Sequence, residues 1–452
     1  MRFIPPVSRR PPRAALAAAM GLALPAAGSN AAVHADTGIM VVTSCADAGS
    51  GTLRDIIAMA PAGTTIDLSQ LPCVDSTITL TSGAIPIADN RDLAISGVPL
   101  VKMSGVSAQA AGTAPTIDGG HIHRIFDHSG TGAFTLFAVA LRNGYAMGPG
   151  GCLRSNGDVA MFASTIMGCT AHAVNYSGQG GGAFVAGNLK LENSRVSGNA
   201  CTGNAVFGGG GVYAGTLDMS DSTVADNTAV GFGGGLSVNG RASIAYSTIS
   251  GNSAAYDGGA VLGFDGAVSI VNTTISGNQS AGVAGLLVPG GPLSMAATTI
   301  AFNASTSAGG IGGLAFSNPA TLQSTLIADN LAEGVPSDVG GGCTIACNPP
   351  VSGANNLIMS ARVPVPTDTL TADPLLTALA GHGGSAFTHG LASGSPAIDR
   401  GNNIGDGTGP LFSDQRGNGY PRVVGASADI GAFELGAVPD RIFFNGFDAI
   451  EN

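Results

Sequence analysis

Tryptophan is absent from this 452-residue chain, and lysine occurs only as Lys102 and Lys190. Neither lysine follows a glycine, so the Gly-Lys-Ser/Thr step of a phosphate-binding loop is missing. No Cys-x-x-Cys occurs, which removes a zinc ribbon and a thioredoxin-type site. No Gly-x-Ser-x-Gly occurs, which removes the nucleophile elbow of a serine hydrolase. Charged residues are only 10% of the chain, too few for a disordered polymer. No Gly-X-Y period marks a collagen. Basic residues are outnumbered 18 to 29, a net charge of −11, which repels phosphate backbones and excludes nucleic acid as a partner.

What is abundant is glycine, 71 residues, a level that breaks helices. Its placement is periodic. Ser194-Arg195-Val196-Ser197-Gly198-Asn199 aligns with Ser222–Asn227, Ser247–Asn252, Thr273–Asn278 and Thr298–Asn303, and then with Ser324-Thr325-Leu326 leading to Asn330. The asparagines Asn199, Asn227, Asn252, Asn278, Asn303 and Asn330 are spaced by 28, 25, 26, 25 and 27 residues. A glycine cluster opens each unit, as in Gly180-Gly181-Gly182, Gly209-Gly210-Gly211 and Gly233-Gly234-Gly235. Short alternating runs such as Leu189-Lys190-Leu191 and Val268-Ser269-Ile270 lie between cluster and asparagine.

Each unit therefore holds three short strand-like segments separated by corners. Strands this short bury no core alone, but stacked units do. The expected fold is all-β: a right-handed parallel β-helix, the pectin-lyase-like solenoid, with about 25 residues per coil. The six asparagines are expected as a structural ladder. They tolerate left-handed corners, and their amides bond up and down the stack. Cys169 holds the equivalent place one unit earlier, so the ladder is expected to start after it.

Four arginines precede an apolar run from Ala14 to Ala27, and Val33-His34-Ala35 offers a cleavage site before Asp36. Residues 1–35 are expected to be a signal peptide. Their removal leaves 14 basic against 29 acidic residues, a charge of −15. Segment 266–328 carries no charge, but Ser, Thr and Asn recur through it and Pro289-Gly290-Gly291-Pro292 interrupts it, so no membrane span follows signal removal. Seven cysteines in an oxidising compartment permit disulfides. Cys45–Cys73 and Cys343–Cys347 are plausible local pairs, and the odd count leaves at least one thiol unpaired or paired with another chain.

The glycine cluster followed by an Ile/Val/Phe-x-x-Asn element over residues 145–335 resembles the repeats of polymorphic outer-membrane proteins, secreted β-helical passengers with adhesive roles. Gly49-Ser50-Gly51-Thr52-Leu53-Arg54-Asp55-Ile56-Ile57-Ala58, followed by Thr65-Ile66-Asp67-Leu68, is similar to the CSLREA-type N-terminal motif of secreted bacterial β-helix proteins. Here Thr52 stands for the usual Ser and Ile56 for the usual Ala. Gly394-Ser395-Pro396-Ala397-Ile398-Asp399-Arg400-Gly401, Asp414-Gln415-Arg416-Gly417 and Asp429-Ile430-Gly431-Ala432-Phe433-Glu434 resemble the C-terminal region of choice-of-anchor Q proteins. These resemblances imply a cap at 36–76, a β-helix at 77–360, a C-terminal region at 361–436 and a tail at 437–452 as a possible sorting segment. After residue 360 nothing alternates like the strands of a membrane barrel, so the chain is not expected to be a self-sufficient autotransporter.

Candidate chemistry is sparse. His121 and His123 alternate within Asp118–His128 and would share one strand face with Asp127 nearby, which suits a metal or acid–base site. The bland reading makes this stretch an early rung with Ile122, Ile125 and Phe126 inside. Asp218, Asp221, Asp226, Asp257 and Asp265 fall at different phases of the repeat and read as solvated corners. Asp399 to Asp406, with Asn402 and Asn403, is acidic and glycine-rich enough for calcium but lacks EF-hand spacing; otherwise no cofactor is expected. Sugar platforms need exposed aromatics, and only six tyrosines are available. The expected function is an exported, non-catalytic scaffold, secreted or attached to the outer surface, that adheres to an extracellular glycan or to a host or envelope surface. The competing reading is a polysaccharide lyase or glycoside hydrolase.

Overall fold

The computed structural model describes residues 38–99, 114–174, 179–204, 208–341, 350–403 and 409–439. Their short strands stack into four columns. Columns one and two share a twenty-stranded sheet, column three has eleven strands and column four nine. The ladders are parallel throughout, apart from Leu331–Ala332 with Val335–Pro336, which closes column four. Column three counts eleven coils from Thr77–Thr79 to Leu357–Ile358. This is a parallel β-helix. No helix among the described residues is long and apolar enough to cross a membrane.

Period-two alternation builds the core. In column three Leu141, Ile166, Val196, Val224, Ile249, Ile275, Ile300, Ile327 and Ile358 stack in register and are buried. Each strand adds one such residue to a continuous apolar column, which no single coil could shield.

At the corner after column three, the buried asparagines bond in series. The Nδ2 atom of Asn199 donates to Oδ1 of Asn227 at 2.9 Å, and the same bond recurs for Asn227–Asn252, Asn252–Asn278, Asn278–Asn303 and Asn303–Asn330. The Cys169 N–H donates to Asn199 at the head of the series. The ladder asparagines are not the left-handed residues of their corners. The residue before each one is: Gly198, Asp226, Gly251, Gly277, Phe302 and Asp329 have φ between 57° and 66°. The amide must point inward to reach the next coil, so the turn falls one position earlier.

A second ladder runs at the corner before column three. The N–H groups of Ser164, Ser194, Ser222 and Ser247 donate to the hydroxyls of Ser194, Ser222, Ser247 and Thr273 one coil on.

Paired strands begin at Ile39–Val41 and Thr64–Asp67, within the segment expected as cap. Between them lies α1, Leu53–Met59, which starts at an N-cap Thr52 and buries Leu53, Ile56 and Ile57. Arg54 ties α1 to the first coils through Asp47 and the carbonyls of Gly83 and Ala84, each at 2.7 Å. Burial raises the Asp47 carboxyl, but hydrogen bonds from Ser82, Arg54 and Thr81 outweigh it and hold the group far below the carboxylate range. Cys45 bridges Cys73. A second disulfide joins Cys152 to Cys169, a pair not foreseen, and Cys201 is buried and unbridged. Cys343, Cys347, residues 1–35 and most of the tail fall outside the described residues.

Candidate functional site

Most functional expectations fell on Asp118–His128. His121 and His123 do not share a strand face. His121 sits in a turn at φ 59°, exposed, and the strand begins only at Phe126. Two glycines before His121 favour the turn over extension. Ile122 is 69% exposed rather than inside, whereas Ile125 and Phe126 are core. The inward polar residue is His128. It takes the place that Val185, Ala214 and Val238 hold in later coils. Its Nδ1 donates to Ser155 Oγ at 2.7 Å, since Ser155 donates in turn to the Gly157 carbonyl. Its Nε2 meets no partner, and burial lowers its pKa, so it is a neutral core histidine.

The outward residues of the same rungs are more telling. Along column one they run Asp127, Arg154, Phe184, Tyr213, Ser237, Leu262 and Leu287. Asp127 lies between two guanidiniums, Arg124 at 3.4 Å and Arg154 at 3.3 Å. Arg124 is locked by the carbonyls of Pro149 and Gly150, and burial lowers its pKa. Arg154 stays one-third exposed and makes one ion pair. Phe184 and Tyr213 stack at 5.2 Å with planes 8° apart. Burial pushes the Tyr213 phenol up. Beyond them Leu262, Leu287, Val283 and Ile311 close over one another beside Phe232 and Phe264.

Column two adds a parallel lane. Lys190 pairs with Glu192 at 2.9 Å and sits 4.9 Å from the Phe162 ring centre, and Arg241 pairs with Asp218 at 2.8 Å. Asp218 is thus an ion-pair partner on a sheet face. Asp221 does sit at a corner, at φ 49°, but it is half-buried there. Burial, with the Glu192 charge on the neighbouring coil, pushes its carboxyl up to about 6.

The acidic C-terminal motifs are turned inward. The segment after residue 361 returns along column three as a strap. The Asn272 side chain donates to the Ser413 carbonyl, Ser276 to His389 Nε2 at 2.8 Å, and the Ala432 N–H to Thr299 Oγ1. Arg416 pairs with buried Asp414 at 2.6 Å and lies between the rings of Tyr420 and Phe433. Buried Arg422 faces Glu434 and donates to the Asp429 carbonyl. The expected calcium donors join this docking. Asp399 accepts from Ser427 N–H, and Asn402 bonds Ser324 and Asn355. Asp406 lies outside the described residues.

The stacked columns and the charged outer lane define a parallel β-helix with an outward-facing strip of mixed chemistry. No family model matches the chain, and no curated protein matches it. Among solved structures, that of the pectate lyase Pel9A is similar over 88% of this chain and 96% of that one, with 12% identity and a TM-score of 0.42. It is the strand pairing, not this superposition, that defines the class.

Proposed function

We propose that the chain is an exported β-helix scaffold that holds an extended ligand, an extracellular glycan or a cell-envelope surface, along the outer face of its largest sheet. One observation carries this reading. Asp127, Arg154, Phe184 and Tyr213 stand in register on successive rungs, one strand spacing of about 4.8 Å apart. A lane of that pitch offers repeated contacts to a repeating or extended molecule. Export is supported by the two disulfides, which persist in oxidising compartments. The acidic charge of the chain argues against nucleic acid.

A glycan-binding panel with purified protein tests it. Binding should weaken at least about tenfold in Arg154→Ala and Tyr213→Ala, the loss of a hot-spot contact. Ligands that bind all three proteins alike sink the lane as the site.

One feature favours the catalytic alternative. Asp221, pushed up to about 6, and Glu192 lie on adjacent coils, near enough for the Glu192 charge to raise Asp221. Incubation with pectate, alginate, glycosaminoglycans and bacterial capsule separates the readings. New reducing ends without ultraviolet-absorbing products, lost in Asp221→Asn, establish a hydrolase; new reducing ends accompanied by unsaturated, ultraviolet-absorbing products establish a lyase; intact polymer leaves the scaffold.

A further inference from the structure

The two ends of the solenoid are shaped differently. At the C-terminal end, columns one and three are each continued by a parallel bridge, Val339 to Ala361 and Leu357 to Leu370. Column two has no such continuation among the described residues and stops at Val351–Ala354. At the N-terminal end the order is reversed. Column two starts first, with Ile39–Val41 and then Thr64–Asp67, before column three opens at Thr77 and column one at Ile85. One end therefore lacks a rung in the column where the other end projects one.

The free edges have matching polarity. Gly38 O accepts from Thr65 N–H and Val42 N–H donates to Asp67 O, so the backbone groups of Ile39 and Val41 face away from the sheet. Ile39 and Val41 are 49% and 43% exposed. At the other end Pro350 O and Ala354 O accept from Ala320 and Ser324 N–H, so the groups of Val351 face outward. Gly353, at φ 103°, twists the end of that strand. Met40 and Val351 are both only partly buried against the ends of the core. All these strands run in one direction, so a second copy stacked on the first extends the ladder without reversing it.

We infer that the chain associates head to tail with a second copy of itself, the Ile39–Val41 edge of one copy pairing in parallel with the Val351–Ala354 edge of the next. Only a few hydrogen bonds form, each contributing little net, so the association is weak and concentration-dependent. It places the outer lanes of successive copies end to end on one fibre face.

Sedimentation of the full chain, with and without residues 1–35, tests this. The average mass should rise steadily with concentration. Val41→Pro and Val351→Pro each remove an outward N–H that bonds nothing among the described residues. Each variant alone should stay monomeric with an unchanged melting temperature. Mixed together they should form dimers and nothing longer, because one intact end of each kind remains. A wild type that stays monomeric throughout, variants that assemble like wild type, or a mixture that stays monomeric each overturns the inference.

Discussion

Asn330 donates both its backbone N–H and its side-chain amide to one oxygen of Asp338, Oδ1, at 3.0 and 2.8 Å. The asparagine ladder thus ends on a carboxylate eight residues further along. Asp338 is 1% exposed, and burial pushes it up to about 6 against the Asn330 hydrogen bonds that pull it down.

That termination gives a pH signature. A carboxyl with a raised folded pKa binds its proton more tightly in the native state. Stability from this group is complete below about 3.8, its unfolded value, and is lost as pH rises to about 6. Asp338→Asn keeps an acceptor oxygen and has no charge to bury. Its stability relative to wild type should climb between these values and then level off, gaining roughly 3 kcal/mol. Urea unfolding of both proteins at pH 4 and pH 7.5 measures the difference. A pH-independent difference removes the proton linkage. The buried histidines and the other raised carboxyls are common to both proteins and cancel.

Within the ladder each amide has no solvent to replace a lost partner. Asn252→Ala with Asn278→Ala should lower stability by about 3–5 kcal/mol, since the neighbouring buried amides go unpaired. The reading is the thermal midpoint, and an unchanged midpoint would mean that the ladder bonds contribute nothing net.

His128 gives the opposite expectation. Later coils fill its inward place with Val or Ala, and its Nε2 is an unpartnered buried acceptor. His128→Val should change stability by no more than about 1 kcal/mol and leave ligand binding intact. A binding loss would move the functional site to this rung.

For the strap, Arg416→Ala leaves Asp414 buried without its cation. Breaking a buried pair in this way costs about 3–5 kcal/mol. Limited proteolysis should then cut within 386–437 while the coils persist. Protection equal to wild type would show that the strap does not depend on this pair.

Cys201 should resist thiol reagents, because burial pushes its thiol up to about 12. Peptide mapping after alkylation should find it unlabelled in the native protein and labelled once unfolded. Labelling under native conditions would mean that the column-four strand Ala200–Gly203 opens readily.

Much of the solenoid was legible because it is written once per coil. The inward Ile/Val of column three and the 25–28-residue asparagine beat need only local pattern to read. The hydroxyl ladder was equally present in the alignment, as the Ser or Thr that begins each aligned segment ending in asparagine, but only the stacked coils reveal its bonds. The Cys152–Cys169 bridge, 17 residues apart, had no spacing rule to announce it.

The repeat was enough to dictate the architecture, because a recurring short strand with an apolar face has one way to hide it: against the next copy. It could not determine which polar groups lie inside. Asp338 and His128 differ from their solvated counterparts only by what packs over them. The strap decides still more: Gln415 reaches Thr248, 167 residues away, and turns an acidic, calcium-like stretch into part of a docking surface. Burial and ion pairing of that range depend on contacts between distant segments, and the tertiary structure alone brings those together.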